Sequence, residues 1–284
     1  MSVIPAPSDS AALATPASAP RGRRRLRLWR VLPPLGVFAL IIGGWYAISY
    51  YVLDESRRFL LPPPHQIVDV GFLDPINFRN LMRGLWLTTE VALLGLAIAI
   101  VVGVTGAVLM SQAKWLELSL YPWAVILQTI PILALVPLIA LWTGFGFSSR
   151  LLVCVLIALF PIIANTLFGL QSAEAGLNDL FRLHGAGRLT RLFKLMFPAS
   201  LPAMFAGFRI SAGLSVIGAL VGDLFFKQGE PGLGILIDVY RSRLQSEQMY
   251  AAVFLASLLG IAVFLFFGWL GRRVVGKWYQ ASRG

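Results

Sequence analysis

Six apolar runs dominate this chain, and each is long enough to cross a lipid bilayer. A helix needs about 20 consecutive apolar residues to span the bilayer core. The runs cover approximately residues 31–52, 82–110, 117–142, 150–171, 199–226 and 248–271. Hydrophobic residues make up 57% of the 284-residue chain and charged residues only 13%, so no stretch is left for a separate soluble domain. The sequence therefore predicts one all-α integral membrane domain with six transmembrane helices.

The two ends of the chain are predicted to be tails outside this domain. Residues 1–30 begin with an Ala-, Pro- and Ser-rich stretch and end in a cluster of arginines, which is typical of a disordered basic tail. The apolar run that follows exceeds the 7–15 residues of a signal-peptide core, so we expect an uncleaved first span. The membrane domain is then 31–276, and 277–284 forms a short C-terminal tail.

The charge distribution orients the predicted spans. The net charge is +11, and most of the 24 Lys and Arg residues fall into cytoplasmic segments if both termini are cytoplasmic. Cytoplasmic enrichment of Lys and Arg is the usual orientation signal. This topology also places the 172–198 loop in the cytoplasm. Basic sequence interleaved with aromatic residues, as expected of a nucleic-acid-binding protein, is absent.

The 172–198 loop is basic and amphipathic, although it separates two apolar spans. Gly185 and Gly187 break a first helix, and Pro198 and Pro202 mark the exit of a second one. Apolar residues of the second helix recur at i, i+3, i+4 and i+7, with basic residues on the other face. The apolar set is Leu189, Leu192, Phe193 and Met196, and the basic set is Arg188, Arg191 and Lys194. Such a face indicates contact with a soluble partner or with the membrane surface.

The spacing of Asp179, Gly185 and Pro198 resembles the cytoplasmic "EAA" loop of binding-protein-dependent ABC importer permeases. That pattern has an acidic residue, a Gly six positions later and a Leu-Pro ending thirteen after the Gly. Here Leu180-Phe181 stands for Ala-Ala, and Phe197 stands for the Leu. The runs 128–138 and 141–146 are also similar to this family, closest to its nitrate, sulfonate and taurine branch.

The resemblance implies a type I importer permease (MetI-like) architecture in the bacterial cytoplasmic membrane. It implies a heterotetramer of two ATP-binding cassette subunits and two permeases, which are expected to be a homodimer of this chain. An extracytoplasmic solute-binding protein would deliver the cargo. The cargo would be a sulfonate, nitrate or taurine-like solute or a heterocyclic vitamin precursor. Coupling to the ATPase would involve the loop residues Asp179, Arg182, His184, Gly185, Ala186 and Pro198.

The chain is not expected to hydrolyse ATP or to hold a cofactor itself. Residues 271–277 match all but the last position of the phosphate-binding motif G-x-x-x-x-G-K-[ST]. Trp278 occupies that last position, where a hydroxyl residue would hold magnesium. ATP and Mg²⁺ would therefore be bound by the partner subunit.

Polar residues inside the predicted spans are further candidates, because charges are costly there. We expect Glu90 and Arg209 to lie near mid-depth and to pair with each other or share a polar interior. Asp223 should reach the outer mouth, in a solvated or binding-protein-facing position. The amides of Gln128 and Asn165 could contact the solute or hydrogen-bond between helices.

Small residues recur every four positions in the fifth span. They are Ala203, Gly207, Ser211, Ser215 and Ala219. Gly218 and Gly222 add a close-packing motif. This stripe could pack against a neighbouring helix of the same chain or lie at the centre of a homodimer.

Two other functions compete with the importer. An ion-gradient-driven secondary transporter would use the buried acids. Inverted repeats with paired broken helices would favour this class, and the sequence shows no such repeat. A membrane scaffold would use the basic loop only to bind anionic lipid. Neither accounts for the spacing of Asp179, Gly185 and Pro198.

Overall fold

The computed structural model describes the backbone of residues 25–279 and the side chains of residues 32–276. This part of the chain is helical and contains no β-strand. Its α-helices, in chain order, are α1 (Arg25–Ala47), α2 (Pro64–Val68), α3 (Pro75–Gln112), α4 (Lys114–Thr129), α5 (Ile132–Thr143), α6 (Phe147–Gln171), α7 (Ala175–Leu183), α8 (Arg188–Arg191), α9 (Phe197–Phe225), α10 (Leu233–Ser242) and α11 (Ser246–Tyr279). Predicted tail residues 1–24 and 280–284 lie outside the described residues.

Five helical segments are long and apolar enough to cross a membrane, and they correspond to five of the six predicted spans. They are Leu32–Val52, Pro75–Gln112, Phe147–Gln171, Arg188–Phe225 and Ser246–Gly276. Several extend beyond the predicted apolar run, because the helix continues through the flanking polar residues.

The third predicted span, 117–142, is not one continuous helix. It consists of α4 and α5, which are bent by 102° relative to each other. Proline disfavours helical backbone in the residue before it, and Ile130 accordingly has ψ 126°. Pro131 then precedes the first turn of α5, where its missing N–H is not needed. The two helices together form either a sixth, broken span or a re-entrant hairpin.

The chain divides into two compact units at Val52. The first unit, within the described residues, is α1 followed by a π-helical turn over Ile48–Val52. The rings of Tyr46 and Tyr50 stack in parallel across this turn, with centroids 6.3 Å apart.

The second unit begins at Leu53 and has its core where α3, α6, α9 and α11 meet. Cys154 of α6 is fully buried there between two glycines. A Cβ added at Gly218 of α9 would lie 2.8 Å from Cys154 Cα, and one added at Gly95 of α3 would collide with Cys154 Sγ. Because glycine has no side chain, α3 and α9 can both pack closely against α6 at these two positions. Such close packing needs no hydrophobic driving force.

The small-residue stripe of α9 packs against α6 of the same chain, which is one of the two predicted alternatives. A Cβ on Gly207 would lie 2.8 Å from the Pro161 carbonyl oxygen, and one on Gly222 would lie 2.9 Å from Arg150 Cα. Ser211 Oγ donates a hydrogen bond to the Ala158 carbonyl at 2.6 Å. This face of α9 is thus occupied within the chain and is not free for a second copy.

Candidate functional site

The first half of the 172–198 loop is a short helix with a tightly closed end. Helix α7 ends at Leu183, and Gly185 follows in the left-handed region with φ 71°. The Ala186 N–H donates to the Phe181 carbonyl at 2.9 Å, and the Gly185 N–H donates to the Arg182 carbonyl at 3.0 Å. These two bonds define a Schellman motif, in which glycine is favoured because a side chain at that φ is strained. The predicted helix break at Gly185 is confirmed.

The predicted coupling residues of α7 lie on an open surface. Asp179, Arg182, His184 and Gly185 are exposed, and Ala186 is half-buried. A ring nitrogen of His184 lies 2.9 Å from the Leu180 carbonyl oxygen. Within residues 32–276, neither Asp179 nor Arg182 belongs to an ion pair.

Leucines add an apolar element to this surface. Leu177, Leu180 and Leu183 are all exposed, and Leu183 retains 85% of its accessible surface. They recur at i, i+3 and i+6 on α7, beside the charged side chains. The coupling residues predicted from the sequence did not include these leucines, although their spacing is visible in the sequence.

The second half of the loop differs from the predicted amphipathic helix. Leu192 and Leu195 are buried, whereas Leu189 and Phe193 of the predicted apolar face are exposed. A π-helical turn over Leu192–Met196 interrupts the regular helical spacing and shifts the angular positions of the side chains within and after it, though not that of Leu189, which precedes it.

Pro198 also does not mark an exit. It lies in the first turn of α9, and the helical segment continues from Arg188 to Phe225 without interruption. The π turn precedes Pro198, and a proline in a first turn needs no N–H donor. Pro202 is likewise inside α9.

A buried ion pair joins the start of α6 to the end of α9. Arg150 Nη1 lies 3.2 Å from Asp223 Oδ1, and only 4% and 1% of the two side chains are exposed. Arg150 also donates three hydrogen bonds to backbone carbonyls of the loop after α9. The acceptors are Phe226 at 2.7 Å, Gln228 at 2.8 Å and Glu230 at 3.0 Å. One guanidinium group therefore fixes the path of this loop.

Asp223 is bound to two further elements. The Thr88 hydroxyl of α3 donates to Asp223 Oδ2 at 3.0 Å, and the Gly234 N–H donates to the same oxygen at 3.3 Å. Thr88 Oγ1 in turn accepts the Leu233 N–H at 2.8 Å. The prediction that Asp223 is solvated at the outer mouth is wrong, because the carboxylate is enclosed by α3, α6 and the start of α10.

The predicted pairing of Glu90 with Arg209 is also wrong. Among the described side chains, no ion pair joins them. Glu90 is exposed on α3. The Arg209 guanidinium instead lies over the Phe264 ring of α11, with Cζ 4.0 Å from the ring centroid.

The two intramembrane amides have different surroundings. Gln128 is exposed and is the next-to-last residue of α4, beside the break between α4 and α5. Asn165 is half-buried, and its Nδ2 donates to the Pro161 carbonyl of its own helix at 2.8 Å. The Asn165 side chain also lies against Gly207 of α9. Its bond is thus within a helix rather than between helices.

A charge cluster outside the spans holds α10 in place. Lys227 and Arg241 both contact the Asp238 carboxylate. Hydrogen bonds from Lys227 and then Arg241 lower the pKa of Asp238 below its usual value. Burial raises the pKa of the nearby Tyr240.

Metal ligands do not gather in the described part of the chain, where no group of three His, Cys, Asp or Glu side chains could hold an ion. The segment resembling a phosphate-binding loop lies inside α11, in helical conformation.

Sequence comparison identifies the family of the chain. Residues 95–276 match the family "binding-protein-dependent transport system inner membrane component". The protein belongs to this family. The match covers α6, the 172–198 loop, α9 and α11, so the permease carries both the Schellman turn and the Arg150–Asp223 pair within the family region. It is a multi-pass inner-membrane transport subunit, as the resemblance of the loop predicts, and its all-helical fold is the MetI-like one.

Three relatives illustrate the family. The permease is 33% identical over 240 residues to the formylaminopyrimidine transport permease protein ThiX of Halalkalibacterium halodurans, with 84% of this chain and 92% of the relative covered. It is 31% identical to the riboflavin transport system permease protein RibX of Chloroflexus aurantiacus, with 87% and 91% covered. It is 30% identical to the putative aliphatic sulfonates transport permease protein SsuC of Bacillus subtilis, with 87% of each covered.

Proposed function

We propose that this permease is driven by a separate ATP-binding subunit that docks on the loop surface formed by α7 and its Schellman turn. The observation that carries the proposal is the exposed face of α7, where Leu177, Leu180 and Leu183 accompany Asp179 and Arg182. An exposed apolar cluster with a polar rim is the usual composition of a protein interface. The permease binds no ATP and no Mg²⁺ itself in this scheme.

The complete importer would contain two copies of the permease, two ATP-binding subunits and an extracytoplasmic solute-binding protein. ATP binding would favour one arrangement of the ATP-binding subunits, and the α7 contacts would shift the spans with it. Both termini and the 172–198 loop would be cytoplasmic, and the exposed apolar spans would contact lipid. The cargo would be a small solute such as a heterocyclic vitamin precursor or a sulfonate, nitrate or taurine-like solute. The names of relatives mention a formylaminopyrimidine, riboflavin, aliphatic sulfonates and nitrate.

The first test is to purify the tagged permease from its native cell in mild detergent. We expect a stoichiometric ATP-binding subunit to co-elute and the eluate to hydrolyse ATP. A folded permease that elutes alone and without ATPase activity would contradict the proposal.

A matched pair of glycine variants locates the docking surface. Space for a Cβ is open at both Gly185 and Gly187, but their φ values are 71° and −65°. Gly185→Ala should therefore cost about 1–2 kcal/mol in the turn, whereas Gly187→Ala should not strain the backbone. We expect Gly185→Ala to reduce co-elution of the ATP-binding subunit and solute uptake several-fold, at normal levels of membrane insertion. Equal behaviour of the two variants would argue against docking at this turn.

A further inference from the structure

An open groove runs between α9 and the C-terminal half of α11. Its volume is about 550 Å³, and its lining includes Pro202, Phe205, Arg209, Gly268, Gly271 and Arg272. Glycines make the groove possible on the α11 side. A Cβ on Gly268 would lie 3.3 Å from Arg209 Nε, and one on Gly271 would lie 3.1 Å from Phe205 Cβ. The two glycines thus allow the Arg209 and Phe205 side chains to lie against α11 at the floor of the groove.

Arg209 is a half-buried residue near the middle of α9. It is twelve residues after the start of α9 and sixteen before its end, or about 18 Å and 24 Å at 1.5 Å per residue. Its Nε is buried and makes no hydrogen bond within the described residues. The Phe264 ring covers one face of the guanidinium. A membrane-embedded charge in such a position usually has a partner of opposite charge.

Arg150 shows how the charge and the N–H donors of a buried arginine are paired by other groups of this chain. It has a carboxylate within 3.2 Å and three carbonyl acceptors. Arg209 has neither kind of partner among the described residues. The carboxylate of Asp223 is already engaged by Arg150, and Glu90 forms no ion pair with Arg209.

Arg272 adds a second positive charge to the same groove. It lies one turn after Gly268 on α11, is exposed, and has no ion pair in the described part of the chain. No acidic side chain lines the groove. Guanidinium groups bind oxyanions through planar pairs of N–H donors. The groove therefore has two such donors, a floor of glycines and no negative charge.

We propose that the α9–α11 groove is a binding site for an oxyanion, such as a sulfonate, phosphate or carboxylate group, held by Arg209 and Arg272. The ligand is either a free solute or the phosphate of a lipid headgroup, since both present the same oxygens. This site goes beyond ATP-driven coupling and does not depend on it.

The test uses the purified full-length permease in nanodiscs of phosphatidylcholine, which carries no net charge. Methanesulfonate and inorganic phosphate are the probes, and dimethyl sulfone is the neutral control. We expect both anions, but not the sulfone, to raise the thermal midpoint. Arg209→Gln and Arg272→Gln should each weaken the apparent affinity about tenfold, as expected for loss of one charge-assisted contact of roughly 1.5 kcal/mol. Arg273→Gln is the matched control, because Arg273 packs over Trp269 and does not line the groove.

The unliganded variants give a second readout. Removal of an uncompensated charge should leave the thermal midpoint of Arg209→Gln equal to or above that of the native chain without anion. A large fall in that midpoint would mean that Arg209 has a structural partner, and it would overturn the proposal.

A second set of nanodiscs distinguishes the two sources of the anion. If phosphatidylglycerol raises the midpoint through Arg209 and Arg272 and abolishes the effect of methanesulfonate, the headgroup phosphate is the ligand. If methanesulfonate acts equally in both nanodiscs, the ligand is a free solute.

Anion effects that persist in both arginine variants would overturn the proposed site. So would a change only in oligomeric state, which would make the groove a subunit contact. None of these measurements involves an ATP-binding subunit, so they can fail or succeed independently of the proposed coupling.

Discussion

At the scale of a single residue, Arg150 holds together the start of α6, the end of α9 and the loop that follows α9. Its guanidinium contacts Asp223 and the three carbonyls of the loop between α9 and α10. The Nη1 hydrogen bond goes to Glu230, so the Asp223 contact is an attraction between charges rather than an aligned hydrogen bond. Removal of one member of a buried pair leaves the other charge without a partner. This destabilises the protein more than replacement of both members by apolar residues.

Asp223→Asn should therefore destabilise the protein strongly. The amide keeps the size of the side chain and can still accept from Thr88, but Arg150 loses its counter-charge. We expect a loss of about 3–5 kcal/mol of unfolding free energy, measured by thermal or denaturant unfolding in detergent.

Asp238→Asn is the matched control for that measurement. It also removes a carboxylate that contacts basic side chains, but those partners, Lys227 and Arg241, are largely exposed. Exposed ion pairs contribute about 0–1 kcal/mol, so the expected effect is small. Comparable losses for the two variants would contradict the importance assigned to burial.

The Arg150–Asp223 pair shows a limit of sequence-based prediction. Arg150 stands at the start of an apolar run, where a basic residue is typical of the membrane surface. Its partner is 73 positions later, at the far end of another span. Periodicity gives the depth of each residue but not the rotation of two helices about their axes. For the same reason the predicted pairing of Glu90 with Arg209, based on depth alone, was wrong.

At the scale of elements, close contact between α6 and α9 depends on glycine at specific positions. Gly218 faces the backbone of Cys154, whereas Gly213, on the same helix, has no atom near its added Cβ. Gly218→Ala should force the helices apart and lower the thermal midpoint. Gly213→Ala should leave the midpoint unchanged or raise it, since alanine is favoured over glycine within a helix by about 0.5–1 kcal/mol. The reverse order in a melting experiment would refute this description of the core.

Most elements could be predicted because apolar length determines a span almost alone. The glycine signal was also sufficient for the end of α7, since Gly185 occupies a position that other residues adopt with strain. The π turn over Leu192–Met196 could not be predicted in this way, because one additional residue in a turn leaves the composition unchanged. The same holds for the 102° bend at Pro131. Proline predicts a kink there, but its size depends on the packing of α5 against α6.

At the scale of the whole molecule, the proposed topology is directly measurable. The chain contains one cysteine, Cys154, which is fully buried and should not react with a membrane-impermeant maleimide. Ser172→Cys and Ser242→Cys each add an exposed thiol, the first in the 172–198 loop and the second at the end of α10. We expect labelling of Ser242→Cys in right-side-out vesicles and of Ser172→Cys in inside-out vesicles. Labelling of both variants from the same side would exclude the proposed orientation.

The closed end of α7 has a consequence for repeated transport cycles. Its backbone donors are satisfied within the turn, by Phe181 and Arg182, before any other protein arrives. A segment that folds only on binding loses conformational entropy at every encounter, and this weakens each association. A preformed turn avoids that loss. In the proposed importer, the ATP-binding subunit would meet the same rigid turn in every cycle, and its motion would pass to the spans without first having to order a flexible loop.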